Sequence, residues 1–142
     1  MTPLKLSRDD FKQLANIRLK ESKLLLDNGN YDGAYYLCGY VVECGLKACI
    51  AKQTKKYDFP DLEMVKNSYC HKLSQLLGLA ELAHPAKDER KRNEDLESNW
   101  SIVINWNEES RYVTHSELEA KALYSAIADK RNGVLKWIRK YW

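Results

Sequence analysis

The chain has little of what most chemical sites are built from. Its three histidines, His71, His84 and His115, belong to no His/Cys/carboxylate set of metal-ligand spacing. Neither a G-x-x-x-x-G-K-[ST] nor a G-x-G-x-x-G phosphate cradle occurs, and these are the motifs whose backbone N–H groups hold nucleotide phosphates. No metal or other cofactor is therefore expected. No stretch of eighteen uncharged apolar residues is present, and the opening Met1-Thr2-Pro3-Leu4-Lys5 runs straight into an amphipathic segment without an apolar leader, so neither a membrane nor export is expected. Excess charge is missing too. With 23 Lys plus Arg against 20 Asp plus Glu, the formal charge is +3, far from a protein dominated by phosphate neutralisation.

Four cysteines, Cys38, Cys44, Cys49 and Cys70, fit neither a zinc cluster nor a disulfide framework. The first three fall at spacings of six and five inside an apolar, helix-patterned stretch. They read as small buried thiols in a reducing cytoplasm. A length of 142 residues suits one domain, residues 1–142, with one continuous core.

What is present is helical periodicity. Ser7, three residues ahead of Asp10, opens a segment to Asp27 with Phe11, Leu14, Arg18 and Leu25 near one face, and Asn28-Gly29 supplies the stop. Tyr31 to Lys52 contains no proline and carries Ala34, Cys38, Val41, Gly45, Ala48 and Cys49 at helical steps, small residues suited to close contact. Gly39 and Gly45 each cost an isolated helix roughly 1 kcal/mol relative to Ala, so tight packing must offset them. This is the expected central helix, ended by Lys55 to Pro60. Tyr31, Tyr35, Tyr36 and Tyr40 around its start read as packing residues with polar tips.

A third helix is expected over about His71 to Leu82, broken by His84-Pro85, with His84 in a loop. Lys87 to Glu97 is almost wholly charged and reads as a solvated connection or an exposed helix start. Trp100 to Trp106 is taken as helical. The last helix is expected to begin at a capping box of Thr114 and Glu117 and to run to Trp142, with Leu123, Ile127, Val134 and Ile138 as its apolar stripe. Five such segments and no alternating strand pattern give an all-α class: an antiparallel bundle of four to five helices.

Residues 29 to 52 read G-N-Y-D-G-A-Y-Y-L-C-G-Y-V-V-E-C-G-L-K-A-C-I-A-K. This resembles the Y-D-A-A-Y-Y-L-A-G-Y-x-V-E-x-A-L-K-A signature of a HEPN subfamily. His71-Lys72-Leu73 with Leu76-Leu77 is similar to its H-x-L-x-x-L-L segment, Trp106 with Arg111-Tyr112 to its W-x-x-x-x-R-Y segment, and Val134 to Ile138 to its V-L-x-W-I end. Gly29, Tyr31 and Ala34 also resemble the tetratricopeptide step, but one period later the chain reads Glu63 to Ser68 without the glycine or tyrosine. The repeat reading is rejected.

The HEPN resemblance implies one of two classes of function. One is a metal-independent ribonuclease, working across a homodimer through R-x(4 to 6)-H, often beginning R-N. The other is a bundle that binds a nucleotide, nucleic acid or a partner protein such as a nucleotidyltransferase, in a prokaryotic defence or toxin–antitoxin pathway. Arg131-Asn132 begins the nuclease motif, yet the fifth residue after Arg131 is Lys136 and no histidine follows. Lysine, with an ordinary pKa of ~10.4, is a poor general base at neutral pH. Arg111 and His115 are the other near-match, one residue too close. They are the candidate catalytic pair, while His71, Arg131, Asn132 and Lys136 are the candidate nucleotide or nucleic-acid contacts. Some relatives carry a modifiable tyrosine two residues after the motif histidine. Glu117 stands there after His115, which argues against that switch. The preferred expectation is a binding module, with a ribonuclease using a non-standard Arg/His site as the alternative.

Overall fold

The computed structural model describes residues 6–56 and 66–142, and every regular element among them is helical. Helix α1, Arg8–Asp27, starts as expected: the Ser7 side chain accepts from the Asp10 backbone N–H and the Asp10 carboxylate accepts from the Ser7 N–H. It ends at Asn28, with Gly29 at φ 78°, a left-handed conformation that glycine adopts without a Cβ penalty. A link this short folds α2, Tyr31–Lys56, back along α1 as a hairpin. Its described end at Lys56 falls in the expected Lys55 to Pro60 stretch, and Pro60 itself lies outside the described residues.

Helix α2 is the axis of the bundle. It touches α1, α3 (Leu73–Leu79), α6 (Glu117–Ala128), α7 (Val134–Ile138) and the 3-10 turn Glu108–Tyr112. Cys38, Val41, Val42, Leu46, Cys49 and Ile50 of α2 join Leu76, Trp100, Leu123, Ile127, Leu135 and Ile138 in one core. The small residues do what their spacing suggested. A Cβ on Gly39 would stand 1.8 Å from the Trp106 ring, and one on Gly45 3.1 Å from the Ile138 Cγ2, so both positions admit a neighbour that alanine would push away.

Two expectations are corrected and a third is narrowed. Pro85 does not end a helix but lies in the first turn of α4, Ala83–Arg92, where the backbone N–H it lacks would have had no partner within the helix. His84 is accordingly helical and exposed, 3.3 Å from Asp88. The charged stretch is not a connection, the helix start being the alternative that holds: it completes α4 and then opens α5, Glu94–Val103, capped by Asn93 accepting from the Leu96 N–H. The final helix is two. Helix α6 begins at a capping box of Ser116 and Glu119 rather than Thr114 and Glu117. It stops where the Asp129 carboxylate accepts from the backbone N–H of Arg131 and Asn132. Gly133 is required there, because a Cβ would come within 2.4 Å of the Asp129 carbonyl oxygen. The break leaves Arg131 in solvent.

The cysteines are free, with Cys38, Cys44 and Cys49 buried and Cys70 half-buried. Burial pushes the Cys38 thiol up to about 12 and those of Cys44 and Cys49 to about 11. Since thiolate is the nucleophile, native protein at about pH 8 is expected to react rapidly with a colorimetric disulfide reagent at Cys70 alone, the other three appearing only on unfolding. Rapid titration of more than one thiol in the native state would contradict this packing.

Candidate functional site

Glu43 is the most exceptional residue of α2, a carboxylate only 4 % exposed between Val42 and Cys44. Burying an unpaired charge is costly, and its partners come from far along the chain as well as near. His71 Nδ1 lies 2.6 Å from Glu43 Oε1, and Lys47 Nζ, one helical turn on, lies 3.4 Å from Oε2. The His71 ring is thereby fixed from behind. Its Nε2 faces Glu108 Oε2 on the 3-10 turn at 3.3 Å. The two carboxylates thus meet different ring nitrogens, a bridge rather than a chelate.

Between these partners runs a cleft of about 410 Å³. One wall is His71 to Ser74 and the other Ile104 to Glu109. Trp106, 3 % exposed, closes it on the core side, seated in the notch left by Gly39 and edge-on to Tyr40 at 5.2 Å. Tyr40 in turn meets the His71 ring edge-on at 6.0 Å and shares a 3.0 Å hydroxyl contact with Tyr36. Burial and then the Tyr36 contact raise the Tyr40 phenol well above its ordinary value, so it stays protonated. Three of the four segments that carried the resemblance, in α2, at His71 and from Trp106 to Tyr112, converge here.

The other candidate residues lie in different settings. Arg111 is exposed and held in its charged form, first by a hydrogen bond to Tyr36, with Tyr112 adding to it; its guanidinium lies 4.8 Å over the Tyr112 ring. His115 is turned inward instead. Its side chain is 8 % exposed and its ring stacks on Tyr35 at 3.7 Å. Its nitrogens face the Glu119 carboxylate at 3.3 Å and the Ser110 carbonyl at 3.4 Å, while its backbone N–H donates to Asp32. It precedes the α6 cap, whereas the Thr114 cap had put it inside the helix. The contacts of Arg111 and of His115 are with different tyrosines, Tyr36 and Tyr112 for the first and Tyr35 for the second. The Glu119 carboxyl is held below its ordinary value first by His115 and then by Ser116, which is what a capping and bracing role predicts.

Asn132 is committed to the fold. Its side-chain oxygen accepts from Asn93 at 2.8 Å, its amide donates to Asp95 at 3.3 Å, and its carbonyl accepts from Asn99 at 2.8 Å. Arg131 and Lys136 are exposed beside it on a hollow of about 60 Å³, too small for a nucleotide. Asn132→Ala is expected to destabilise the protein by about 1–2 kcal/mol, since it leaves partly buried polar groups unpaired. A urea titration showing less than about 0.3 kcal/mol of change would refute that bracing.

Sequence reasoning placed His71 among the candidates but missed Glu43 as its partner, and missed Glu108 altogether. A lone acid inside the run Val41-Val42-Glu43-Cys44 was the available signal, because such a residue demands a counter-group.

An all-helical bundle with a polar cleft at one flank of its central helix is the class these features define. A family model described as HEPN domain matches residues 9–141, and the chain belongs to that family. No curated protein and no solved structure matches it. None of the helices in the described residues is long and apolar enough to cross a membrane.

Proposed function

We propose that this chain is a nucleotide-binding HEPN module without the usual nuclease chemistry of the family, and that its ligand site is the cleft between His71 and Glu108. The observation that carries the reading is that cleft. It is of ligand size, with an imidazole held by a buried carboxylate on one wall and apolar Leu73, Ile104 and Trp106 beside polar Ser74, Asn105 and Asn107. Small-ligand sites combine such apolar area with a few convergent polar groups. Against nuclease action stand the inward, stacked His115 and an Asn132 used up in bracing the turn before α7. Homodimerisation, a nucleotidyltransferase-type partner and a place in a defence or toxin–antitoxin pathway belong to the same proposal and are supported by family membership alone.

A second reading, a metal-independent ribonuclease, draws on one contact chain: Arg111 reaches Tyr36, Tyr36 meets Tyr40, and Tyr40 meets His71. An arginine for phosphate and an oriented imidazole for the proton are the groups such a reaction needs. The test is cleavage of a mixed-sequence RNA by purified protein in EDTA, beside Arg111→Ala, His115→Ala and His71→Ala variants. No turnover above the blank is expected. Cleavage by the parent that disappears in Arg111→Ala and His71→Ala would replace the binding reading with the nuclease one.

A further inference from the structure

We propose that the Glu108 carboxylate is an internal stand-in for the phosphate of the ligand, occupying the place on His71 Nε2 that a nucleotide phosphomonoester takes when it binds. This rests on the reading of the cleft as a nucleotide site and adds which group of the ligand goes where.

The two contacts of His71 differ in kind. The bond to Glu43 is 2.6 Å long and made by a buried carboxylate, so it fixes the ring. The contact to Glu108 is 3.3 Å, with side chains 41 % and 45 % exposed, longer than charge-assisted bonds usually are and open to exchange with solvent. It also joins the two walls of the cleft, His71 being on one and Glu108 on the other. A carboxylate in that position blocks the imidazole from any other anion.

Of the remaining polar side chains of the cleft, all but the Glu109 carboxylate can donate to an anion. Lys72, Ser74 and Asn105 bring an ammonium, a hydroxyl and an amide. The side-chain oxygen of Asn107 already accepts from the Glu109 backbone N–H, which leaves its amide N–H groups as donors. Several donors around one imidazole match the oxygens of a phosphomonoester, while Ile104, 38 % exposed, offers apolar surface to a base. Glu108 is the partner of the imidazole Nε2 without a ligand, and it sits on a 3-10 turn of five residues, from which its side chain need only rotate away. The phosphomonoester can come from a free mononucleotide or from the 5′ end of an RNA.

Calorimetric titration tests this with adenosine monophosphate, adenosine and inorganic phosphate as probes. The proteins are the parent chain, Glu108→Ala, and Glu94→Ala, which removes the same charge from an exposed position outside the cleft. Circular dichroism melts matched to the parent establish that the variants fold. Glu108→Ala is expected to bind the monophosphate about tenfold more tightly than the parent, a change of about 1.4 kcal/mol, with Glu94→Ala and the adenosine arm changing by less than about twofold. A 5′-phosphorylated RNA trinucleotide against its hydroxyl-ended form separates the two sources: a gain with either phosphorylated probe supports the assignment. Equal gains in both variants, or a gain with adenosine as large as with the monophosphate, overturn it. So does parent binding that Glu108→Ala leaves unchanged or weakens, and the cleft reading then stands. Binding of no probe by any of the three proteins overturns both.

Discussion

Gly39→Ala is expected to destabilise the protein by about 2–3 kcal/mol, although alanine is the better helix former by about 1 kcal/mol. The two effects oppose each other, and geometry decides between them. An added Cβ would lie 1.8 to 2.4 Å from three atoms of the Trp106 indole, distances at which the ring must leave its seat. Trp106 is buried and packs edge-on to Tyr40, so leaving its seat breaks that packing and drives the ring toward the cleft. The side chains that line the cleft move with it. Chemical denaturation gives the stability loss, and a red shift of tryptophan emission in the folded baseline reports the displaced ring. Gly45→Ala is the internal comparison, since its Cβ meets the end of the Ile138 side chain at 3.1 Å, and its cost should stay within about 1 kcal/mol. A Gly39→Ala variant as stable as the parent would mean that Trp106 does not pack against this helix.

Glu43→Ala is expected to cost about 2–3 kcal/mol. Removing one partner of a buried pair typically costs about 3–5 kcal/mol because the other charge is left without compensation. Here the figure is reduced because His71 reaches solvent, while Lys47 is less free to do so. Glu43→Gln keeps the side-chain volume and an acceptor for His71 and should lose about half as much. The same substitution unfastens the His71 ring, so nucleotide affinity should fall with stability in Glu43→Ala. Equilibrium unfolding in urea measures the first effect. A loss below about 0.5 kcal/mol would show that Glu43 does not depend on its partners in the folded state.

These two positions also show where the sequence was legible. Helices α1 and α2 follow from local signals that act over one or two turns: the Ser7 and Asp10 cap, the Asn28-Gly29 stop and the small residues of α2. Where two local signals compete, tertiary contacts choose. Thr114 with Glu117 and Ser116 with Glu119 are equally good capping boxes by spacing. The second forms, and just ahead of it the His115 ring stacks on Tyr35 and its backbone N–H bonds to Asp32, both on the distant α2. Pro85 misled because proline in a first turn starts a helix as readily as proline in mid-helix ends one. Asp129 and Gly133 divided the last helix through a backbone turn that apolar periodicity does not register.

The site was less legible than the fold, for a physical reason. His71 and Glu43 are 28 residues apart, and no spacing rule joins a side chain on one helix to one on a distant loop. Motif reasoning searched for arginine and histidine on one helix and so weighted Arg111 with His115, whereas the charge that most needed explaining was the carboxylate buried in α2.

The central claim is that the His71 cleft binds nucleotide, and calorimetric titration of adenosine monophosphate into the parent protein and into His71→Ala tests it most directly. Saturable binding by the parent that is lost in a folded His71→Ala variant is the predicted result. Binding that survives His71→Ala undiminished would place the nucleotide elsewhere on the bundle and contradict the account.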